Sequence, residues 1–376
     1  MPTVAVPREI APGETRVALV PETVPKLKAV KLDIRVETGA GEAAGHRDAD
    51  YEKAGATIAA DARALYAGAD VVVKVREPSG SEVDLLPEGA ALIAFLRPYA
   101  NAELLEKLKA RRIAAFAMEK IPRTTRAQRM DALSSMATVA GYRAVLIAAA
   151  SLGRFFPLLM TAAGTITPAR VFILGAGVAG LQAIATARRL GGVVEAFDVR
   201  PAVREEVQSL GATFIAAEHV DEKMVAAGGY AQAMSEEQEK RERELIHKHI
   251  QGADVVVTTA NVPGRRAPLL VTAAMVKDMR PGSVIVDLAS ESGGNCELTK
   301  PGEEVVVHGV RILGPLNLAA TLPYHASQMY ARNVSALLQL MVKDGAMNLD
   351  FSDDILRDTC VTRTESAAPV PAGGAQ

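Results

Sequence analysis

The chain has 376 residues, of which 49% are hydrophobic, and a formal net charge of −2 at pH 7. This length allows two or three domains with apolar cores, and the near-neutral charge gives no indication of a nucleic-acid or anionic-membrane surface. Cys296 and Cys360 are far apart in sequence, which excludes a disulfide framework or a cysteine zinc site and favours a reduced, cytoplasmic setting.

The N-terminal third of the chain predicts a parallel sheet. Short apolar, β-rich runs alternate with helical patterns, the clearest of which covers 103–109 with Asn101 as its N-cap. Strands that alternate with helices predict a mostly parallel sheet covered on both faces. The predicted strands are 4–6, 33–37, 70–75, 91–96 and 113–118.

Three basic residues lie at or near the ends of these strands. Arg16 in ETRVAL and Lys74 in VVVKVREP could each bind a substrate carboxylate or pair with a neighbouring acid. Arg97 follows the strand 91–96, at a place where a catalytic histidine could have been expected.

The richest polar stretch, IPRTTRAQRMDALSS at 121–135, follows the last predicted strand of this region. Arg123, Gln128, Asp131 and Ser134 provide guanidinium, amide, carboxylate and hydroxyl groups, and the stretch has no histidine or cysteine. These groups can orient a nicotinamide and its ribose, but they do not easily serve as a general base. The alternative interpretation is a charged interdomain turn in which Asp131 caps the next helix.

Two segments bear on membranes and targeting. Residues 145–164 approach the length of a membrane span, but Arg154, with Gly153 and Pro157 beside it, would place a charge and a helix break in the bilayer. We therefore expect a helix over 137–152, followed by a loop, in a soluble chain. Residues 1–7 lack the basic lead and apolar core of a signal peptide.

The stretch VFILGAGVAGLQAI at 171–184 joins an apolar run, a G-x-G-x-x-G turn and a helix-forming segment. A dinucleotide-binding βαβ unit requires this order. The first glycine would allow the tight turn, the second the approach of a pyrophosphate, and the third close packing of helix on strand. The pyrophosphate would lie at the helix N-terminus. A glycine turn in another kind of α/β domain is the alternative. The predicted coenzyme-binding residues are Gly175, Ala176, Gly177, Val178, Ala179 and Gly180.

The next apolar run, 193–197, ends in Asp198, where an acceptor for the adenosine ribose is expected. A carboxylate accepts from a 2′-hydroxyl and repels a 2′-phosphate, which favours NAD over NADP. Arg200 and Arg204 lie close behind and could offset this repulsion. The further predicted binding residues are Val199, Arg200, Thr259 and Ala260.

The remaining segments predict a second doubly wound sheet, with strands at 253–260, 283–289, 305–307 and 310–313 and helices at 201–210, 272–279 and 322–340. The predicted fold class is α/β, with two Rossmann-like, doubly wound parallel-sheet domains separated by a ligand-binding cleft. The acids and glycines of VDLASESGGN at 286–295 would face this cleft.

Residues 236–249 are charge-dense, as on an exposed helix, and His247 and His249 would point to different sides of it. The predicted regions are a first domain of 1–136 and 322–355, an NAD(H)-binding domain of 137–321 with a mobile loop at 216–235, and a flexible tail at 356–376.

Nine motifs occur in one order along the chain: ETRVALVPE, VVVKVREP, PRTTRAQRMDALSS, AGYRAV, GAGVAGLQAI, FDVR, GGY, TTANVPGRRAP and VDLASESGGN. Together they resemble the NAD(H)-binding component of proton-translocating NAD(P) transhydrogenase, up to about Phe351. The resemblance implies a fold shared with alanine dehydrogenase, in which an arginine and a lysine matching Arg16 and Lys74 bind pyruvate. That enzyme also needs a histidine where this chain has Arg97, and an aspartate where it has Glu291. Without the histidine, the reaction of a keto acid loses its proton donor.

The resemblance implies that hydride passes directly between two nicotinamides, so this component supplies position and not a proton relay. Gln128 would reach the nicotinamide ribose of the partner's NADP(H). Arg123 and Asp131 would pair to shape the loop, and Ser134 would hold the NAD(H) carboxamide. Tyr230 would lie on the mobile loop that closes over NAD(H).

The resemblance also implies an assembly. This chain would bind NAD(H) as a homodimer, and an NADP(H)-binding subunit and a membrane-spanning subunit would complete the complex. Many relatives continue into membrane helices, so this chain resembles the split arrangement, peripheral on the cytoplasmic face of the inner (plasma) membrane and without direct insertion. Arg16 and Lys74 would be structural or vestigial. The alternatives are an amino-acid dehydrogenase of the alanine dehydrogenase type and a non-catalytic NAD(H) sensor.

Overall fold

The chain forms two compact units in a computed structural model that describes residues 1–216, 236–261 and 264–363. The first unit comprises Met1–Met136 and a second segment that starts at Ala320, and the second unit is Ala137–Ala319. The sequence-based boundaries were 136/137 and 321/322. The loop predicted at 216–235, including Tyr230, lies outside the described residues except for Ala216.

A six-stranded parallel sheet forms the centre of the first unit. Its strands are β1 (Thr3–Val6), β2 (Asp33–Glu37), β3 (Thr57–Ala59), β4 (Val71–Val73), β5 (Ala91–Ala94) and β6 (Ala114–Ala117). The order across the sheet is β3-β2-β1-β4-β5-β6, so the winding direction reverses between β1 and β4. The central strands are buried along their length, as expected for a sheet covered on both faces. Strand β3 was not predicted, because its three residues are too few to show a periodic pattern.

Helices connect and cover these strands: α1 (Val24–Ala29), α2 (Asp48–Ala54), α3 (Ala62–Tyr66), α4 (Gly80–Leu85) and α5 (Ala102–Ala110). Two of them have N-caps that the sequence pattern explains. Asp61 accepts from the backbone N–H of Ala64, and Ser79 and Glu82 form a capping box. Asn101 precedes α5 as predicted, but it does not cap the helix, because its side chain donates to the carbonyl oxygen of Leu96 at 2.8 Å instead.

The last described segment of the first unit contains α11 (Pro323–Leu340), a short hairpin of β16 (Val342–Lys343) and β17 (Ala346–Met347), and α12 (Asp354–Thr359). The prediction of a flexible tail from 356 was therefore wrong for its first residues. Ile355 and Leu356 are buried, and Thr362 accepts a hydrogen bond from the backbone of Ala115 at 2.9 Å. Residues 364–376 lie outside the described part of the chain.

Helix α6 (Ala132–Ser151) contains the boundary between the units at Met136. Within the described residues it is the one helix long and apolar enough, by length and composition alone, to cross a membrane, and core helices of soluble proteins pass the same test. It ends before Arg154, so the stretch 145–164 is not one continuous helix.

The second unit has a seven-stranded sheet and a separate hairpin. The hairpin is β7 (Leu159–Thr161) and β8 (Gly164–Ile166), and the sheet strands are β9 (Arg170–Leu174), β10 (Val193–Phe197), β11 (Thr213–Ile215), β12 (Val255–Thr258), β13 (Val284–Asp287), β14 (Glu304–Val307) and β15 (Val310–Leu313). The sheet order is β11-β10-β9-β12-β13-β15-β14, with β14 alone antiparallel. Besides the larger part of α6, its described α-helices are α7 (Val178–Arg189), α8 (Arg204–Ser209), α9 (Glu236–Ile250) and α10 (Ala273–Lys277). The winding reverses between β9 and β12, and the predicted α/β fold class of two doubly wound parallel-sheet units is confirmed.

Candidate functional site

The glycine turn lies where the winding of the second sheet reverses, directly after β9. The N–H of Gly175 donates to the carbonyl oxygen of Phe197 at 2.8 Å, and its φ of +99° lies in the region that favours glycine. A Cβ atom on Gly180 would lie 1.9 Å from the carbonyl oxygen of Gly175. These two glycines therefore permit the turn and bring the first turn of α7 against the end of β9.

The second glycine of the motif has a different environment. Gly177 occupies the N-cap of α7 with φ −76°, and a Cβ atom there would meet nothing within 4 Å. Packing of the chain therefore does not require glycine at this position. Gly177 makes no side-chain hydrogen bond to cap α7, and the N–H groups of a helix's first turn, together with the helix dipole, favour an anion at this end.

Asp198 ties the glycine turn to the end of β10. Its Oδ2 accepts from the N–H of Ala176 at 2.7 Å and from the Arg200 guanidinium at 2.9 Å. Its Oδ1 accepts from the N–H and from Nε of Arg200, both at 2.9 Å. The carboxylate is 7% exposed and neutralises the Arg200 charge that could have attracted a 2′-phosphate.

Thr259 and Ala260, which were predicted to bind the coenzyme, directly follow the neighbouring strand β12. The Thr259 hydroxyl donates to the carbonyl oxygen of Gly175 at 3.0 Å. The N–H of Ala260 donates to Asn295 Oδ1 at 3.1 Å, and Asn295 Nδ2 donates to the carbonyl oxygen of Ala260 at 2.8 Å. Asn295 was not among the predicted site residues, although its two hydrogen bonds hold the backbone of Ala260 beside the glycine turn.

Asp287 explains why Asn295 is held in place. It is fully buried, and both of its oxygens accept several hydrogen bonds. The donors are the hydroxyls of Thr258 and Thr299 and the backbone N–H groups of Ala289, Asn295 and Cys296. The expectation that the acids of VDLASESGGN face a ligand was therefore wrong for Asp287, which organises the loop. The sequence did contain one indication of a tightly folded loop, the adjacent glycines of SESGGN. Both of them have positive φ in the structure.

The polar loop of the first unit forms a surface cavity of about 320 Å³. Its lining residues are Pro122, Arg123, Thr124, Thr125, Gln128, Asp131 and Ser134. The structure thus brings together the four residues predicted for this loop.

Asp131 and Ser134 form the start of α6. Asp131 accepts from the N–H of Ser134 at 2.9 Å and from its hydroxyl at 2.6 Å, which is the helix cap that the sequence left open as an alternative. Arg123 and Gln128 are exposed. The cap fixes the two inner groups of the loop, while the two outer groups face solvent. The predicted pair of Arg123 with Asp131 stays a prediction.

The two buried cations of the first unit pair with internal acids. Arg16 is 4% exposed and forms two hydrogen bonds with Glu14, at 2.7 and 2.6 Å. Lys74 is 1% exposed and lies 2.6 Å from Glu82 and 3.5 Å from Glu9. Burial raises the pKa of Glu9, and Lys74 partly opposes this. Of the two interpretations, pairing with a neighbouring acid is the one observed.

Arg97 cannot replace a catalytic histidine. Its guanidinium pairs with Glu77, and its backbone N–H donates to Glu119, which also accepts from Leu96 at 3.0 Å. A guanidinium stays protonated in proteins, so it cannot exchange a proton with a keto acid. The pKa of Glu119 is raised, mainly by burial.

The two cysteines and the paired histidines of the described residues have the following environments. Burial raises the pKa of Cys296 to about 11 and also raises that of Cys360, so neither is a reactive thiolate. The described residues contain no group of three or more potential metal ligands. His247 and His249 contact Asp278 and Glu195 at 2.8 and 2.9 Å.

Comparisons with known proteins agree over both units. Residues 5–140 match the family described as alanine dehydrogenase/PNT, N-terminal domain, and residues 144–368 match alanine dehydrogenase/PNT, C-terminal domain. The chain is 47% identical over 370 residues to the first part of NAD(P) transhydrogenase subunit alpha from Rhodospirillum rubrum. This match covers 96% of each protein.

Two further comparisons separate the branches of this family. A crystal structure of transhydrogenase from Sinorhizobium meliloti is 46% identical, with a TM-score of 0.87 over 96% of this chain and 98% of that one. Alanine dehydrogenase of Halomonas elongata is 34% identical over 301 residues, covering 79% of this chain and 75% of that protein. Both the identity and the coverage are higher for these two transhydrogenases than for this alanine dehydrogenase.

Proposed function

The chain belongs to the alanine dehydrogenase/PNT family as a transhydrogenase alpha component, and on this premise we propose that it binds NADH and passes the hydride to NADP⁺ held by a separate subunit. The observation that carries the choice within the family is Arg97. A permanently protonated group paired with Glu77 supplies no proton for a keto acid. Hydride transfer between two nicotinamides needs none, and requires only that the reacting carbons be held in position.

The coenzyme of this chain is NAD(H), bound at the glycine turn of the second unit. Its pyrophosphate lies on the open side of Gly177, against the first turn of α7. Its adenosine ribose would bond to Asp198, whose two oxygens accept four hydrogen bonds from Ala176 and Arg200. To accept from a ribose hydroxyl, Asp198 would have to give up one of its hydrogen bonds with the Arg200 guanidinium. Ala176, Val178, Ala179, Val199, Thr259 and Ala260 complete the proposed contacts.

The polar loop acts on the nicotinamide end of the reaction. Ser134 holds the carboxamide of NAD(H), with Asp131 orienting its hydroxyl through the 2.6 Å hydrogen bond. Gln128 reaches the nicotinamide ribose of NADP(H) on the partner subunit, which its exposed position supports. Arg123 shapes the loop from the same cavity. None of these groups exchanges a proton during the transfer.

The chain works as a homodimer in a larger complex. The hairpin β7–β8 supports a protein interface, because it has exposed apolar side chains on both strands, with Met160 at 82% and Ile166 at 39%. Phe155 and Leu158 extend the same exposed apolar segment. An NADP(H)-binding subunit and a membrane-spanning subunit couple hydride transfer to proton translocation, and this chain is peripheral on the cytoplasmic face of that membrane complex.

Reconstitution tests this function. The purified chain and a purified NADP(H)-binding component are mixed with NADH and an NADP⁺ analogue, and absorbance reports reduction of the analogue. The proposal predicts turnover in the mixture and none with either protein alone. A sensor would bind NADH without turnover in the mixture. An amino-acid dehydrogenase would oxidise NADH with pyruvate and ammonia in the absence of the second protein.

A further inference from the structure

One side chain of the polar loop points away from the cavity and contacts the end of the described chain. Arg126 lies between Arg123 and Gln128 in sequence, but it does not line the cavity. Its guanidinium bonds to Asp353 through two nitrogens, at 2.6 and 2.9 Å, and also pairs with Asp354. A planar guanidinium held by two bonds to one carboxylate is fixed in direction as well as in distance.

The carboxylate that holds Arg126 is itself fixed. Asp353 caps α12, because its Oδ1 accepts from the N–H of Ile355 at 2.9 Å and from that of Leu356 at 3.4 Å. These two residues are buried, so α12 is attached to the core of the first unit. The pKa of Asp353 is lowered, chiefly by the hydrogen bond with Arg126, so the carboxylate is charged at neutral pH.

The loop has a second attachment on the other side of Gln128. Asn333, in α11, donates through Nδ2 to the carbonyl oxygen of Arg129 at 2.9 Å. The segment 127–128 therefore lies between two anchors, a guanidinium bound to α12 and a backbone carbonyl bound to α11. Both anchors belong to the segment that starts at Ala320, and the residues that they join are 204 and 227 positions apart in sequence.

From this geometry we infer that Arg126, together with Asp353 and Asp354, is a positioning element for hydride transfer, and that the segment carrying α12 sets the conformation of the reactive loop. The inference rests on the proposed function of Gln128. Loss of the anchor frees the loop, and a displacement of about 1 Å at a reacting group can reduce a transfer rate about a hundredfold. Most of the proposed NADH contacts lie at the glycine turn, and Ser134 is oriented by Asp131 rather than by Arg126, so NADH affinity should change little when the anchor is lost.

Substitutions on both sides of the contact test this inference. Arg126→Gln removes the guanidinium. The double variant Asp353→Asn/Asp354→Asn removes both charges and keeps a good N-cap residue at 353. Arg112→Gln is the matched control, because Arg112 is also exposed and forms two hydrogen bonds with Glu88 in the same unit, at 3.0 and 2.6 Å.

We expect Arg126→Gln and the double aspartate variant each to reduce hydride transfer at least tenfold, with the NADH dissociation constant within twofold of wild type. Arg126→Lys recovers part of the rate, since it keeps the charge without the two-bond geometry. Combining Arg126→Gln with the aspartate variant produces no further loss, because all three changes remove one contact. Additive losses, or a fall in NADH affinity equal to the fall in rate, would overturn the inference.

A readout on the isolated chain separates this inference from the proposed function. Amide hydrogen exchange of the peptide covering 121–131 should be faster in Arg126→Gln than in wild type, and unchanged in Arg112→Gln. Unchanged exchange in Arg126→Gln would overturn the inference even where wild type transfers hydride. If wild type transfers no hydride to the NADP(H)-binding component, the proposed function fails, and the exchange result still decides whether the anchor orders the loop.

Discussion

At the scale of residues, the polar loop separates groups that are fixed by the chain from groups that face solvent. Asp131 and Ser134 form a helix cap, whereas Gln128 is exposed in the same cavity. A fixed inner pair suits a bound coenzyme, and an exposed amide suits a coenzyme that arrives on another protein. The proposed role of Gln128 therefore predicts an effect on hydride transfer and not on the binding of NADH alone.

Gln128→Asn shortens the exposed amide by one methylene and keeps its chemistry. We expect hydride transfer to fall by roughly two orders of magnitude, because a 1 Å misplacement is sufficient for such a loss. The NADH dissociation constant should stay within a few fold, since only positioning in the transition state is lost. Stopped-flow transfer and NADH titration measure the two quantities. Gln208→Asn, on exposed α8, is the control, and equal losses in rate and affinity would contradict the role.

Glu119 makes stability depend on pH. Burial raises its folded-state pKa above 4.5, so the folded chain holds this proton more tightly than the unfolded chain. Its effect on stability is therefore most favourable below pH 4.5 and is lost as pH rises through the folded-state pKa. Glu119→Gln should raise the thermal midpoint relative to wild type increasingly across this range, while exposed Glu106→Gln should not. A constant difference at every pH would contradict the assignment.

At the scale of elements, each of the three glycines in the G-x-G-x-x-G turn is needed for a different physical reason. Gly180→Ala places a Cβ atom 1.9 Å from the carbonyl oxygen of Gly175, so α7 must shift. We expect a loss of roughly 1–3 kcal/mol in the free energy of unfolding together with loss of NADH binding. Gly177→Ala meets no atom within 4 Å and should keep the wild-type thermal midpoint while weakening NADH binding at least tenfold.

Thermal unfolding and NADH titration of both glycine variants measure this contrast. Gly153→Ala is the control, because its Cβ would also meet nothing within 4 Å, and it lies outside the proposed site. It should change neither quantity. Wild-type NADH affinity in Gly177→Ala would mean that the pyrophosphate does not approach this position.

The sequence predicted those elements that depend on the spacing and type of residues close together in the chain. The glycine turn, the apolar strands and α11 all follow from spacing and composition, because burial on a sheet face or helix face repeats along the chain. The role of Asp287 could not be predicted in this way. An acid after a buried strand has the same sequence pattern whether it faces a ligand or accepts five internal hydrogen bonds, and the difference depends on donors brought from later residues.

The same limit explains the errors at α12 and Asn101. The segment after 353 has a short helix whose stability comes from burial of Ile355 and Leu356, not from a long periodic pattern. Asn101 has the residue type and position of an N-cap, but its side chain donates a hydrogen bond to the carbonyl oxygen of Leu96 instead of capping the helix. For the candidate site, the four residues selected from the sequence are among the seven that line the loop cavity, but the contacts of Arg126 and Arg129 with distant helices were not predicted.

At the scale of the whole molecule, the exposed hairpin β7–β8 predicts self-association. Met160→Asp should convert a homodimer into a monomer, because it places a charge in the proposed apolar interface. Val306→Asp is the matched control, since Val306 is an apolar strand residue of the same unit and is 63% exposed. Sedimentation measures the mass of each. A monomeric wild type, or a dimer that persists in Met160→Asp, would contradict the prediction.

The direct test of the proposed function follows the hydrogen itself. NADH carrying deuterium at the transferable position of C4 is mixed with this chain, the NADP(H)-binding component and NADP⁺, and the NADPH formed is analysed by mass spectrometry. If the two nicotinamides exchange hydride directly, each NADPH should contain deuterium in ordinary water. NADPH that carries solvent hydrogen, or NADH consumed without labelled NADPH, would contradict this function.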